Sequence, residues 1–152
     1  MSYRENVCAV IRDGNSVFLC HRLGFDQNLG WQFPQGGIDI NINSDDDLVL
    51  ELKRELLEEI GTDNVKIIKI SPNRYKYDFP KEVINKFPKY TGQVQRWVLC
   101  EFLEHPPNIN FNTTSHPEFD SFQWVTPKKA VENIVNFKQK VYRNALGNLG
   151  LL

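Results

Sequence analysis

Arg54-Glu55-Leu56-Leu57-Glu58-Glu59-Ile60-Gly61-Thr62 places three glutamates within five residues, just ahead of a glycine. On a helix turning about 100° per residue, Glu58, Glu51, Glu55 and Glu59 share one arc of about 100°. Leu52, Leu56, Val49, Ile60 and Leu57 take the opposite side. Such a stripe costs the helix stability. Glu51/Glu55 and Glu55/Glu59 are like-charge pairs four residues apart, each unfavourable by roughly 0.2–0.5 kcal/mol. Arg54 is the one cation beside the stripe, since Lys53 points the other way. The missing positive charge reads as a divalent cation, because hard Mg²⁺ takes carboxylate oxygens and commonly bridges to substrate phosphate. A solvated acidic face is the bland alternative, and the flanking sequence argues against it.

Outward from this helix the chain alternates strands and turns. Val7–Ile11 and Val17–His21 are β-rich runs separated by Asp13-Gly14-Asn15, a hairpin signal. A loop rich in Gly, Asn and Asp leads to Trp31-Gln32-Phe33-Pro34-Gln35-Gly36-Gly37. Ser44-Asp45-Asp46-Asp47 then supplies an N-cap and acidic first-turn residues for a helix of about fifteen residues ending at Gly61. Val65–Ile70, Arg74–Phe79, Gln93–Phe102 and Phe122–Val125 read as strands. Pro80–Gly92 reads as an irregular insertion with one helical turn at Lys81–Lys86. Thr126-Pro127 opens a helix with a cap and Pro at its first position, and Phe137–Leu146 is helical as well. Strands with a carboxylate-bearing helix between them and helices at the end give the class α+β, as one domain over residues 1–152.

The bulk properties narrow the function. Lys+Arg 18 against Asp+Glu 19 gives no overall attraction to nucleic acid or membrane, so any nucleotide binding is local. No apolar run approaches the ~20 residues a membrane span needs. The opening Met1–Asn6 is polar and has no signal-peptide stretch, so the cytoplasm is the expected location. Cys8, Cys20 and Cys100 each lie in an apolar strand-like segment and read as buried thiols. His21, His105 and His116 show no ligand spacing.

The residues Gly36, Arg54, Glu55, Leu56, Glu58, Glu59 and Gly61 resemble the Nudix hydrolase signature: glycine, five residues, glutamate, seven residues, then Arg-Glu-aliphatic-x-Glu-Glu-x-Gly-aliphatic. The chain departs from it twice. The segment from Gly36 to Arg54 is four residues longer, which puts Asp46 where a glutamate is expected, and Thr62 replaces the last aliphatic residue. Within the family the chain is similar to bacterial RNA pyrophosphohydrolases and the related diadenosine tetraphosphate hydrolases. The segments carrying this are Tyr3–Val7, Trp31–Gly37, Tyr77–Lys81, Gly92–Trp97, Pro117–Asp120 and Phe137–Arg143.

The resemblance implies a Nudix fold, with a mixed β-sheet between helices, and a Mg²⁺-dependent (or Mn²⁺-dependent) pyrophosphohydrolase. Glu55, Glu58, Glu59 and Glu118 are the implied metal ligands, with Glu58 and Glu118 as catalytic candidates. A backbone carbonyl near Gln35-Gly36 completes the metal site, and Gly36 and Gly37 let backbone approach metal and phosphate. Arg54 is structural, its guanidinium tying adjacent carboxylates through forked hydrogen bonds, with Asp46, or neighbouring Asp45 or Asp47, in place of the glutamate that helps hold it. Arg4, Arg22 and Lys138 match phosphate- or nucleotide-binding positions. Phe137 matches a base-stacking aromatic, with a core phenylalanine as its other reading. Tyr77 and Gln95 either line the phosphate pocket or serve strand pairing. The expected substrate is the 5′-triphosphate end of RNA, alternatively a dinucleoside polyphosphate, or RNA or nucleotide bound without hydrolysis. No membrane partner is expected, and the chain is expected to be a monomer or weak dimer.

Overall fold

Val7-Cys8-Ala9-Val10-Ile11 has no solvent exposure on either side, and this fixes its place in the middle of a covered sheet. The computed structural model describes residues 2–86 and 88–152. Met1, and Phe87 within the expected insertion, lie outside the described residues. The run belongs to β1 (Tyr3–Asp13), which turns at Gly14, φ 57°, into β2 (Ser16–Arg22). Two very short strands follow, β3 (Trp31–Gln32) and β4 (Gln35–Gly37). Then come α1 (Asp45–Ile60), β5 (Val65–Asp78), α2 (Lys81–Lys86) and β6 (Gly92–Phe102). The chain closes with β7 (Phe119–Val125), α3 (Pro127–Asn133) and α4 (Asn136–Asn148).

Among the described residues the strands form one seven-stranded sheet with the path β3-β2-β1-β6-β5, while β4 pairs with β1 and β7 with β2. β1 and β6 run parallel from Tyr3 opposite Gly92 to Ile11 opposite Cys100, and the other pairings are antiparallel. Alternation along β1 divides the core in two. Val7, Ala9 and Ile11 pack with Leu48, Leu52, Leu56 and Ile60 of α1. Cys8 and Val10 pack with Trp97, Leu99 and the α4 residues Val141, Tyr142, Ala145 and Leu146. The architecture is α+β, a mixed sheet between helices.

Magnitudes explain why α1 forms despite its acidic stripe. Each of its four buried aliphatic side chains gains about 1.5–3 kcal/mol from burial. Each like-charge pair costs only roughly 0.2–0.5 kcal/mol. Packing wins.

The two strands expected over Val65–Ile70 and Arg74–Phe79 are one strand, whose register against β6 shifts between Ile67 and Lys69 and again between Ile70 and Arg74. Pro72 has no N–H for the ladder, so the chain bulges there and resumes pairing. β7 begins at Phe119, earlier than Phe122, because Phe119 pairs with Arg22. Cys8, Cys20 and Cys100 are buried free thiols. No helix among the described residues is long and apolar enough to cross a membrane.

Candidate active site

Local sequence fixes the register of α1. The Ser44 hydroxyl accepts the backbone N–H of Asp47 at 3.2 Å, and the N–H of Asn43 donates back to Asp47 Oδ2 at 3.0 Å. At the other end Gly61 takes φ 78°, and the Asn110 N–H donates to the Ile60 carbonyl at 2.8 Å. Between these stops Glu51 and Glu59 turn inward and are buried, Glu55 is largely covered, and Glu58 is open to solvent. The backbone of β4 lies directly beneath. A Cβ on Gly36 would overlap the Glu55 carboxyl, and one on Gly37 would overlap the Arg4 guanidinium. The two glycines therefore bring a carboxylate and a cation against adjacent peptide units.

Arg54 is gripped by three carboxylates. Its Nε donates to Glu51 Oε1 at 3.1 Å, and Nη2 donates to the same oxygen. Nη2 also reaches Glu55 Oε1, and Nη1 reaches Glu58 Oε1, each at 2.8 Å. The bond to Glu51 is the largest of the effects that hold this guanidinium above its ordinary pKa. Arg54 thus balances one side of the acidic cluster.

Among the described residues no cation figures among the effects on Glu59, on the other side of the cluster. Glu59 is 6 % exposed, and its Oε2 has no hydrogen-bond partner. Burial, followed by the charges of Glu118 and Glu55, pushes its carboxyl well above the usual range, opposed by the N–H of Gln35. Burial also raises Glu55, with Glu58, Glu118 and Glu51 adding to the effect and Arg54 opposing it. An orphaned, buried carboxylate oxygen beside further carboxylates is the donor chemistry a hard divalent cation satisfies. As they stand, no three His, Cys, Asp or Glu side chains among the described residues are grouped to hold a metal ion. Glu55 and Glu58, which each give an oxygen to Arg54, would have to turn from it to join Glu59 at an ion.

Several of the expected substrate-binding side chains pair a basic group with an aromatic ring. Arg22, exposed at the end of β2, stacks over Phe25 at 5.6 Å from the ring centroid. Lys138 Nζ lies 5.8 Å from the rings of both Tyr77 and Phe137. Burial first, then the charge of Arg22, pushes Lys138 down to about 8. Phe137 is half-buried, packed against the α4-side core with its centroid 5.8 Å from that of Tyr77. Tyr77 is 7 % exposed and donates its hydroxyl to Gln93 Oε1 at 2.7 Å. Gln95 is 1 % exposed; its Nε2 donates to Asn6 and Gln35, and its Oε1 accepts from Trp97. Gln95 is thus closed off within the sheet, while Tyr77 joins Gln93 to the Lys138–Phe137 pair.

The NUDIX domain profile matches residues 2–145. The chain belongs to the Nudix family. It is 42 % identical over 146 residues to an RNA pyrophosphohydrolase of Campylobacter jejuni, covering 93 % of this chain and 88 % of that one. It is 40 % identical over 150 residues to an RNA pyrophosphohydrolase of Helicobacter pylori, covering 95 % and 91 %. Among solved structures, the E. coli dihydroneopterin triphosphate pyrophosphohydrolase superposes with a TM-score of 0.67 at 15 % identity over 97 % of this chain and 99 % of that one. A C. elegans Ap4A hydrolase superposes with 0.62 at 16 % identity over 97 % and 98 %. Nudix hydrolases as a family use divalent metal ions.

Asp46 does not hold the Nudix arginine. It is exposed in the first turn of α1, eight residues before Arg54, which is about 12 Å of helical rise. No aspartate side chain spans that. Asp45 and Asp47 fail equally: Asp45 lies 3.7 Å from Arg96, and Asp47 caps the helix. Sequence reasoning passed over Glu51 as the partner, although its spacing of three from Arg54 is a contact spacing. It also passed over Gln35, whose N–H meets Glu59, and Thr113, whose hydroxyl bonds the carbonyl of Glu58. Neither carries a local pattern.

Proposed function

We propose that this chain is a Mg²⁺-dependent hydrolase that converts the 5′-triphosphate end of RNA to a 5′-monophosphate. The observation that carries the reading is the buried Glu59 carboxylate with an unpartnered oxygen, set beside Glu55 and Glu118 and next to the Arg4–Gly37 contact. The choice of RNA is supported by the relatives named above, which match more than nine-tenths of the chain.

Glu55, Glu58, Glu59 and Glu118, with a carbonyl near Gly36, would hold the metal. When bound, Mg²⁺ (or Mn²⁺) neutralises charge on the phosphate oxygens and makes a bound water more acidic. Glu58 and Glu118 are the carboxylates of the set open to solvent, so they are the two able to take a proton from an attacking water. Arg4 and Lys138 bind the phosphates, with Arg22 at the outer edge, as charge-assisted donors. Phe137, half-buried, stacks a base on its ring. Arg54 orients the ligands without touching substrate. The enzyme works in the cytoplasm as a monomer or weak dimer.

Turnover of 5′-triphosphorylated RNA and of diadenosine tetraphosphate, measured side by side with Mg²⁺, tests the reading. Rapid conversion of the RNA end with little turnover of the dinucleotide supports it. The reverse order overturns it.

A further inference from the structure

The longer segment between Gly36 and Arg54 takes away the acid that the Nudix signature places against its arginine, yet Arg54 is firmly held. We propose that Glu51 has taken over that acid's work: it is a positioning residue that anchors Arg54 so that Glu55 and Glu58 can give their oxygens to the metal.

Glu51 is 5 % exposed and packed under the guanidinium, whereas Asp46 stands in solvent. Glu51 meets Arg54 through two nitrogens, Nε and Nη2, while Glu55 and Glu58 each meet it through one. The spacing is right as well, because residues three apart on a helix are neighbours. Arg54 and a metal ion compete for the same atoms, Glu55 Oε1 and Glu58 Oε1. A guanidinium with no other anchor would settle on those two carboxylates and oppose the ion. With Glu51 beneath it, Arg54 keeps a full ion pair when the other two carboxylates turn away. The pairing is mutual, since a buried carboxylate needs a charge partner of its own. The lost acid has been replaced from within the helix.

The inference rests on the metal-dependent reading of the site and is tested without RNA. Mn²⁺ and Mg²⁺ affinities of the full chain, stripped with chelator, are measured by titration calorimetry beside melting temperatures. Glu51→Gln should weaken metal binding by about 10–100-fold, the usual effect of losing a residue that orients ligands. Asp46→Asn should change it by no more than about twofold, since Asp46 touches none of the set. Adding Glu51→Gln to Arg54→Gln should cost nothing further, because the residue acts through the arginine. Wild-type affinity in Glu51→Gln, an equal loss in Asp46→Asn, or a further loss in the double variant overturns the proposal, the last by making Glu51 a ligand. Should Glu51→Gln fail to fold, Glu51→Asp takes its place with the same expected and overturning results. A wild-type chain that binds neither ion overturns the metal-dependent reading too. Wild-type binding that Glu51→Gln leaves unchanged overturns the role of Glu51 alone.

Discussion

The carboxyl of Glu55 rests against the backbone of Gly36, in the volume that any larger side chain at Gly36 would claim. Gly36 does not have a positive φ, so alanine can adopt its backbone conformation. Its need for glycine is therefore steric. Gly36→Ala should leave melting nearly unchanged and push Glu55 out of the ligand set, lowering turnover by about 10–100-fold. Turnover beside a melting curve checks this; an active Gly36→Ala enzyme would remove Glu55 from the site.

Glu59 predicts an unusual dependence of stability on pH. Its folded pKa lies well above the ordinary 4.5. The stability it contributes is fully present below the unfolded value and is lost as pH rises through the folded one. Gln does not titrate, so Glu59→Gln should melt higher than wild type at neutral pH in chelator, with the gap closing toward pH 4.5. Mg²⁺ should raise the melting point of wild type only. Matching melting curves from pH 4 to 8 would mean that Glu59 is not a strained, uncompensated acid.

What the sequence made legible follows the range of the forces involved. Ser44, the acidic first turn and Gly61 act within a few residues, and they marked both ends of α1. The β-rich run Val7–Ile11 likewise marked a strand, though its burial on both faces emerged only in the fold. The parallel pairing of β1 with β6 joins residues about ninety apart and has no local pattern. The same holds for the approach of Glu118 to Glu59, which only the family resemblance supplied. Asp46 shows the converse error. Counting along a signature assumes a loop that folds back, whereas here those residues are already helix, and a helix carries position 46 away from position 54. Trp31–Gly37 holds two strands too short to display an alternation.

Lys138 should show opposite effects on stability and on activity. Burial holds its pKa at about 8 in the fold against an ordinary 10.5. For a depressed lysine the stability contribution is present above the unfolded pKa and is lost as pH falls through the folded one. Lys138→Met keeps the stem without the charge. It should melt above wild type at pH 7, the advantage fading as pH rises from about 8 to 10.5. The same variant should bind RNA ends more weakly below pH 8. It should also lose the fall in kcat/KM expected of wild type as the ammonium deprotonates. A flat wild-type profile across pH 7 to 9 would place Lys138 away from the phosphates.

Phe137 sits between its two readings, half-buried against the core, with its ring beside Tyr77 and Lys138. Truncation to Ala confounds the two, since a buried Phe→Ala change costs ~3–5 kcal/mol and would lower melting whatever the ring does for substrate. Leucine separates them. It keeps most of the apolar contact, and exchanges of similar volume usually cost under ~1.5 kcal/mol. It has no flat face for a base, and stacking a base on an aromatic is worth ~1–3 kcal/mol. Phe137→Leu should therefore melt within a few degrees of wild type while kcat/KM on triphosphorylated RNA falls roughly 5–100-fold. Metal affinity should not move, because the ring packs on the core beside Tyr77 and Lys138. Unchanged RNA turnover in a stable Leu variant would make Phe137 a core residue, and recognition of the RNA end would then fall to Arg4, Arg22 and Lys138 through the phosphates alone.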